Sequence, residues 1–193
     1  MNCCLSTGEL QLSDNTTGQP GWLTSQQSDN DYDVPLDVHL SRWIRGVTGL
    51  PAGSVIARWQ PDQPAMPSAT TSWCAFGVTG IEADDYPAFV SKIDGTSEQW
   101  RHELVDCLTS FYGPSGQQYA ARFRDGIAVN QNNEMLGQWG LTFADCDSIR
   151  PAPELINNQW VRRYDVMVRL RRKVISTWGI QSLVDVSIQI TGD

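Results

Sequence analysis

Reactive side chains are scarce in this 193-residue chain: it has two lysines, Lys92 and Lys173, two histidines, His39 and His102, and five cysteines with no CxxC spacing. Neither lysine follows a glycine-rich loop, which excludes a Walker A phosphate cradle, and no GxGxxG follows a strand. The histidines sit in apolar settings without a GxSxG elbow, so a satisfied structural histidine is the expected state of each. Cys3, Cys4, Cys74, Cys107 and Cys146 are odd in number and wrongly spaced for a disulfide framework or a zinc site. Cys107 reads as a small buried hydrophobe. The adjacent Cys3 and Cys4 would cross-link chains only in an oxidising medium. Acidic clusters at Glu82, Asp84 and Asp85 and at Asp145 and Asp147 lack further ligands at a known spacing, and solvated turns are expected there. No catalytic, cofactor-binding or metal residue is expected from this inventory.

Apolar runs are also short. Nothing approaches the roughly 18 residues of a membrane span, and residues 1–34 hold neither the basic nor the apolar part of a signal peptide. A cytosolic product is the expectation, which leaves the sequon at Asn15 idle. The net charge of −8 and pI near 4.6 remove the long-range field that draws polyanions to a protein.

What is present divides unequally. Residues 1–34 contain five acids, Glu9, Asp14, Asp29, Asp31 and Asp33, no base, and many small polar residues. Such a segment buries too little apolar area to offset its ordering entropy and reads as a flexible acidic arm that is disordered or orders on a partner. Trp22, beside Leu23, is its candidate anchor.

From residue 35 to 193 the pattern is that of one folded domain. Leu36, Leu40, Trp43, Ile44 and Val47 make a helical stripe that starts at Pro35 and stops at Gly49 and Pro51. "SVIARWQ" reads as a strand, and "PDQPAMPSATT" (61–71) as a long loop. "SWCAFGV" and "QWRHELVDCLTSFY" read as strands separated by an acidic, turn-rich stretch. The second is partly apolar on both faces, so it should be central in its sheet or covered by a partner. "GPSGQQYAARFRDGIAV" predicts a helix with a Ser115/Gln118 capping box and Tyr119, Phe123 and Ile127 on one face. A shorter helix is expected in "QNNEMLGQWG". "QWVRRYDVMVRLRRKV" (159–174) and "SLVDVSIQI" (182–190) alternate as strands, the latter with Val184, Val186, Ile188 and Ile190 inward. The element order predicts an α+β fold, a mainly antiparallel β-sheet packed with two main helices.

The stretch 160–174 holds six of the fourteen basic residues. Parity places Tyr164, Val166, Val168 and Leu170 in the core, flanked by Arg162 and Arg172, and Arg163, Asp165, Met167, Arg169, Arg171 and Lys173 on the other face. That face has no aromatic for base stacking, so acidic residues of the same or a neighbouring subunit are its expected partners. Arg163, Asp165, Arg169, Arg171 and Lys173 are the candidate subunit-interface residues.

"WIRGVTGLPAGSVIARWQPDQPAMP" (43–67), "SFYGPSGQQYAARFRDGI" (110–127) and "SIRPAPELINNQWVRRYDVMVRLRRKV" (148–174) together resemble the tail terminator, or neck terminator, proteins of long-tailed bacteriophages. The resemblance implies a structural virion protein, assembled in the bacterial host cytoplasm, that forms a homohexameric ring at the head-proximal end of the tail. Such a ring stops tube polymerisation, offers a docking surface to the head connector or stopper protein, and lets DNA pass without specific binding. The tube, and for a contractile tail the sheath, would be its other partners. It implies no cofactor and no enzymatic activity. A closed ring uses two unlike complementary faces per subunit, and eight tryptophans alongside arginine are the residue types that dominate interfaces. Two other readings remain open: another neck component, such as a head-completion or stopper protein, and a DNA-binding module using 160–174.

Overall fold

In the computed structural model, which describes residues 23, 25, 31–93, 96–156 and 158–179, the order of elements is α1 (Asp33–Thr48), β1 (Val55–Ala57), β2 (Trp73–Ala83), β3 (Ala88–Ser91), β4 (Ser97–Tyr112), α2 (Gly116–Ile127), α3 (Asn130–Gln138), β5 (Leu141–Cys146), β6 (Arg150–Pro151), β7 (Glu154–Ile156), β8 (Gln159–Val161) and β9 (Arg163–Trp178). This is an α+β fold with a mixed, mostly antiparallel sheet and, among the described residues, three helices. The third is the short helix expected near residue 135. The expected strand at 182–190, the anchor Trp22, and Cys3 and Cys4 lie outside the described residues.

Among the described residues two compact units can be separated, residues 31–85 with 101–173, and residues 86–100 with 174–179. In the larger, the strands run β1-β2-β4-β9-β5, β6 also pairs with β9, and β7 and β8 form a hairpin of their own. β4 is therefore central, as its two partly apolar faces require. β1 runs parallel to β2, an exception to the antiparallel rule that the proline-rich loop makes feasible. A parallel return needs a crossover of about a dozen residues or more, and residues 58–72 supply it. In the smaller unit, β3 pairs antiparallel with the start of β4, Ala88 opposite Trp100 and Ser91 opposite Ser97. There Lys92 meets Glu98 at 2.9 Å, and Trp178 Nε1 donates to Gln99 Oε1 at 3.0 Å.

The core of the larger unit forms where the helical stripes meet one face of the sheet. Leu36, Leu40, Trp43 and Ile44 of α1, Ala120, Phe123 and Ile127 of α2, and Leu136 of α3 pack on Cys74, Phe76, Val105, Cys107, Phe111, Val166, Val168 and Leu170. Each fully buried side chain of this size contributes about 1.5–3 kcal/mol. Phe123 lies between Trp43 and Phe111, with centroids 5.3 and 5.6 Å away.

Three local expectations need correction. α1 begins at Asp33, so Pro35 sits inside its first turn, where a missing N–H costs nothing because the first four have no intrahelical acceptor. Ser115 occupies the N-cap of α2, but its φ of −102° and ψ of 17° do not bring the hydroxyl over the helix, and no side-chain cap forms. Its own N–H is instead taken by Ser72 Oγ at 3.0 Å. The 159–174 stretch is not one strand, because the pairing breaks at Arg162 between β8 and β9. At the start of α2, Gly113 has φ 90°, and a Cβ there would strike the Thr71 carbonyl.

Candidate interaction surface

The odd-numbered residues of β9 and the even-numbered residues of β4 share the sheet face away from the helices. The two strands run antiparallel: Ser110 meets Asp165, Asp106 meets Arg169 and Glu103 meets Arg172, each step forward on β4 matched by a step back on β9. On this face Arg163 grips Asp165 through Nε and Nη2 at 2.8 and 2.9 Å and reaches Glu154 at 3.3 Å. The hydrogen bonds it donates to Asp165, ahead of the other charges nearby, hold the Arg163 guanidinium above the usual arginine range. Asp165 also accepts from Ser110 Oγ at 2.6 Å, and the Tyr112 hydroxyl donates to Glu154 at 3.2 Å and accepts from Arg58 at 3.4 Å. Burial pushes the Tyr112 phenol up.

Arg169 takes Asp106 with two nitrogens, at 2.8 and 3.3 Å. Arg163, Asp165 and Arg169 thus meet acids and bases of their own subunit. Arg171 is exposed and has no ion-pair partner among the described residues, and Lys173 beside it is half-buried. Of the candidate interface residues, the structure joins Arg163 with Asp165 and leaves Arg171 open to solvent; Trp22 is not described.

Next to this network the second face carries a small apolar cluster. Trp73 and Tyr112 stack with centroids 4.3 Å apart, with Ala75, Ile56 and Val161 around them. The β7–β8 hairpin sets Leu155 directly opposite Trp160, and both point to water, Trp160 with 73% exposed. The break at Arg162 separates Trp160 from β9, so the exposure of this indole was hidden from a reading of 160–174 as one strand.

The helix face holds a pair that sequence reasoning missed. Arg172 and Glu103 are each about 4% exposed, with Nε to Oε2 at 2.8 Å. Glu103 also accepts from Arg101 at 2.6 Å, and Arg172 Nη1 donates to the Asp31 carbonyl at 3.0 Å while its guanidinium lies 4.5 Å from the Tyr32 ring. Residues 31 and 32 are thereby tied to the sheet. The signal was available: Arg172 shares parity with Leu170, and Glu103 with Val105.

The remaining candidates are structural in their contacts. His39 stacks on Trp139 at 4.3 Å and meets Asp31 at 2.7 Å, and His102 Nδ1 lies 3.4 Å from Asp84. Glu82 lies within β2 and Asp145 within β5, while Asp147 receives Arg150 at 3.4 Å. Burial pushes the Cys107 thiol up to about 12 and that of Cys74 well above its ordinary value, which keeps both neutral and unreactive. No helix among the described residues is long and apolar enough to cross a membrane.

No curated protein matches the sequence significantly. The chain does match, over residues 35–193, the family described as phage neck terminator protein. That span takes in the helical stripe, the central strand β4 and the whole of β9, and covers well over half of the chain. The chain therefore belongs to the phage neck terminator family, structural proteins of the bacteriophage neck that meet other tail and head components.

Proposed function

We propose that this protein caps the head-proximal end of the tail tube as a six-membered ring, stops tube polymerisation, and forms the surface on which the head connector docks. Family membership across residues 35–193 is the observation that carries the reading. The residue chemistry supports it. A heterologous ring needs two unlike surfaces on each subunit, and this acidic chain sets Arg171, with Lys173 beside it, on the open face of a sheet. Arg163, Asp165 and Arg169 hold that face in shape through their mutual and neighbouring ion pairs, and an acidic surface of the next subunit is the complement of Arg171. Residues 35–193 are the ring-building domain, which residues 31–34 join at the start of α1, and the rest of the 1–34 segment is an arm whose anchor is Trp22. With a net charge of −8 on each copy, a channel through the ring repels DNA rather than retaining it.

Removing the gene should yield abnormally long or headless tails in electron micrographs of lysates. Normal tails beside heads that leak DNA would replace this reading with that of a stopper protein. Arg171→Glu should impair ring formation on the tail end while leaving the fold unchanged. A loss of DNA affinity with the ring intact would favour the DNA-binding module instead.

A further inference from the structure

Among the described residues β1 is the outer strand of the sheet, and its other side is not blank. Ser54 and Arg58 bond towards β2, through Cys74 N–H to Ser54 O and Arg58 N–H to Phe76 O, both at 2.8 Å. The alternation of a strand then turns the peptide groups of Val55 and Ala57 to the open edge. Two side chains cover their carbonyls there, Ser41 Oγ on Val55 at 3.4 Å and Gln63 Nε2 on Ala57 at 3.1 Å. The Ser41 contact is long for a hydroxyl hydrogen bond, and both are side-chain substitutes that a backbone ladder bond can displace.

Beside this edge runs a groove of about 530 Å³ between α1 and β1, lined by Val34, Val38, Val55, Ile56, Ala57 and Pro64. Val34 is 58% and Val38 41% exposed, on the side of α1 opposite its core stripe. Asp37 also faces the groove, but its carboxylate is occupied by the Gln60 amide at 2.8 Å. Arg42 stands at the rim and Arg45 one turn on; both are exposed, and neither has an ion-pair partner among the described residues. An unpaired strand edge, an adjoining apolar floor and basic residues at the margin fit an extended segment that alternates apolar side chains and carries negative charge.

The chain contains such a segment. Residues 182–190, "SLVDVSIQI", place Val184, Val186, Ile188 and Ile190 on one side, and residues 179–193 hold two acids, Asp185 and Asp193, and no base. We propose that the 182–190 segment of a neighbouring copy adds as a strand to the free edge of β1, its apolar side on Val34 and Val38. Three to five of its residues would pair, about 10–17 Å of strand, displacing Ser41 and Gln63 from the two carbonyls. The inference deepens the ring reading by naming one of the two unlike surfaces, and to that extent rests on it.

The test uses full-length chains. A chain carrying Val186→Asp and Ile188→Asp keeps the groove but loses the strand; a chain carrying Val38→Glu, at an exposed helix position, keeps the strand but loses the groove. A synthetic peptide of residues 180–193 added to the first should shift the amide resonances of Val38, Ser41, Val55 and Ala57, and a scrambled peptide should not. Added to a chain with both sets of substitutions, it should shift none. Mixing the two singly disabled chains should give a species of twice the monomer mass by native mass spectrometry. A chain ended at residue 181 replaces the first variant if that one does not fold. The proposal is overturned if the peptide leaves those amides unmoved, if Val38→Glu makes no difference, or if the mixed chains do not pair. Pairing without a six-fold ring on the tail would sink the ring reading alone, and a ring with the peptide site silent would sink this inference alone.

Discussion

The two faces of the sheet hold the same chemical pair in two settings. β4 and β9 are linked by Asp106 with Arg169 on the open face and by Glu103 with Arg172 under the helices, each at 2.8 Å. Distance does not distinguish them; solvent does. On the open face water and salt compete for both partners, and an exposed pair of this kind adds little to stability. Under the helices both ions were taken out of water, a cost that their attraction repays only with additional bonds. Arg101 and the Asp31 carbonyl supply those bonds. The inner pair is therefore an obligation, because removing Glu103 strands the buried Arg172 guanidinium, whereas the outer pair, open to solvent, is free to exchange partners.

Removing Glu103 is the strongest way to break this comparison. Glu103→Ala leaves the Arg172 guanidinium buried with no carboxylate, and Arg172 Nη2 already has no hydrogen-bond partner among the described residues. The expected loss is about 3–5 kcal/mol in urea unfolding. Glu103→Met combined with Arg172→Leu should recover most of it, since an apolar pair of similar volume avoids the desolvation cost. If the single variant is no less stable than Asp106→Ala, the two faces do not differ as argued.

Much of this contrast was legible in the sequence. Alternation correctly divided β9 into a core side and a charged side, put β4 at the centre of the sheet, and located the stripe of α1. It did not say which strand β9 would lie beside, and that choice decides everything about the charges. Glu103 and Arg172 are 69 residues apart, and only the β4–β9 register makes them neighbours. The same register turns Arg169 towards Asp106. The failures were of a related kind. The Ser115 cap was lost to a contact with Ser72 from another part of the chain, and the stretch read as one strand over 159–174 breaks at Arg162, which sets Trp160 on a separate hairpin. The groove beside β1 could not be seen at all, because it exists only between two elements, and the parallel return of β1 onto β2 creates it.

The dryness of the inner face can be sharpened with pH. Cys107 is fully buried there and its thiol is raised from 9.0 to about 12 by burial, and Cys74 is raised in the same sense. A group whose folded pKa lies above its unfolded one contributes stability that is complete below the unfolded value and is lost as pH rises towards the folded one. For Cys107 the window runs from 9.0 to about 12, with a slope of about 1.4 kcal/mol per pH unit inside it. Unfolding free energy measured at pH 8 and pH 10 should therefore fall, and Cys107→Ala should flatten that fall. A slope unchanged by the substitution would mean that water reaches this face.

The smallest effect is expected on the outer side, and its form matters more than its size. Asp106→Ala releases Arg169 beside the already open Arg171, and nothing buried is left without a partner. The unfolding midpoint should move less than the alkaline shift just described, and raising the salt concentration should shrink the difference further, because both charges lie within reach of mobile ions. The released guanidinium adds one positive charge to the proposed contact surface, so the same substitution should leave stability nearly unchanged while altering the salt dependence of assembly on the tail end. A variant that weakened the fold and left assembly untouched would show that the pair serves its own subunit alone.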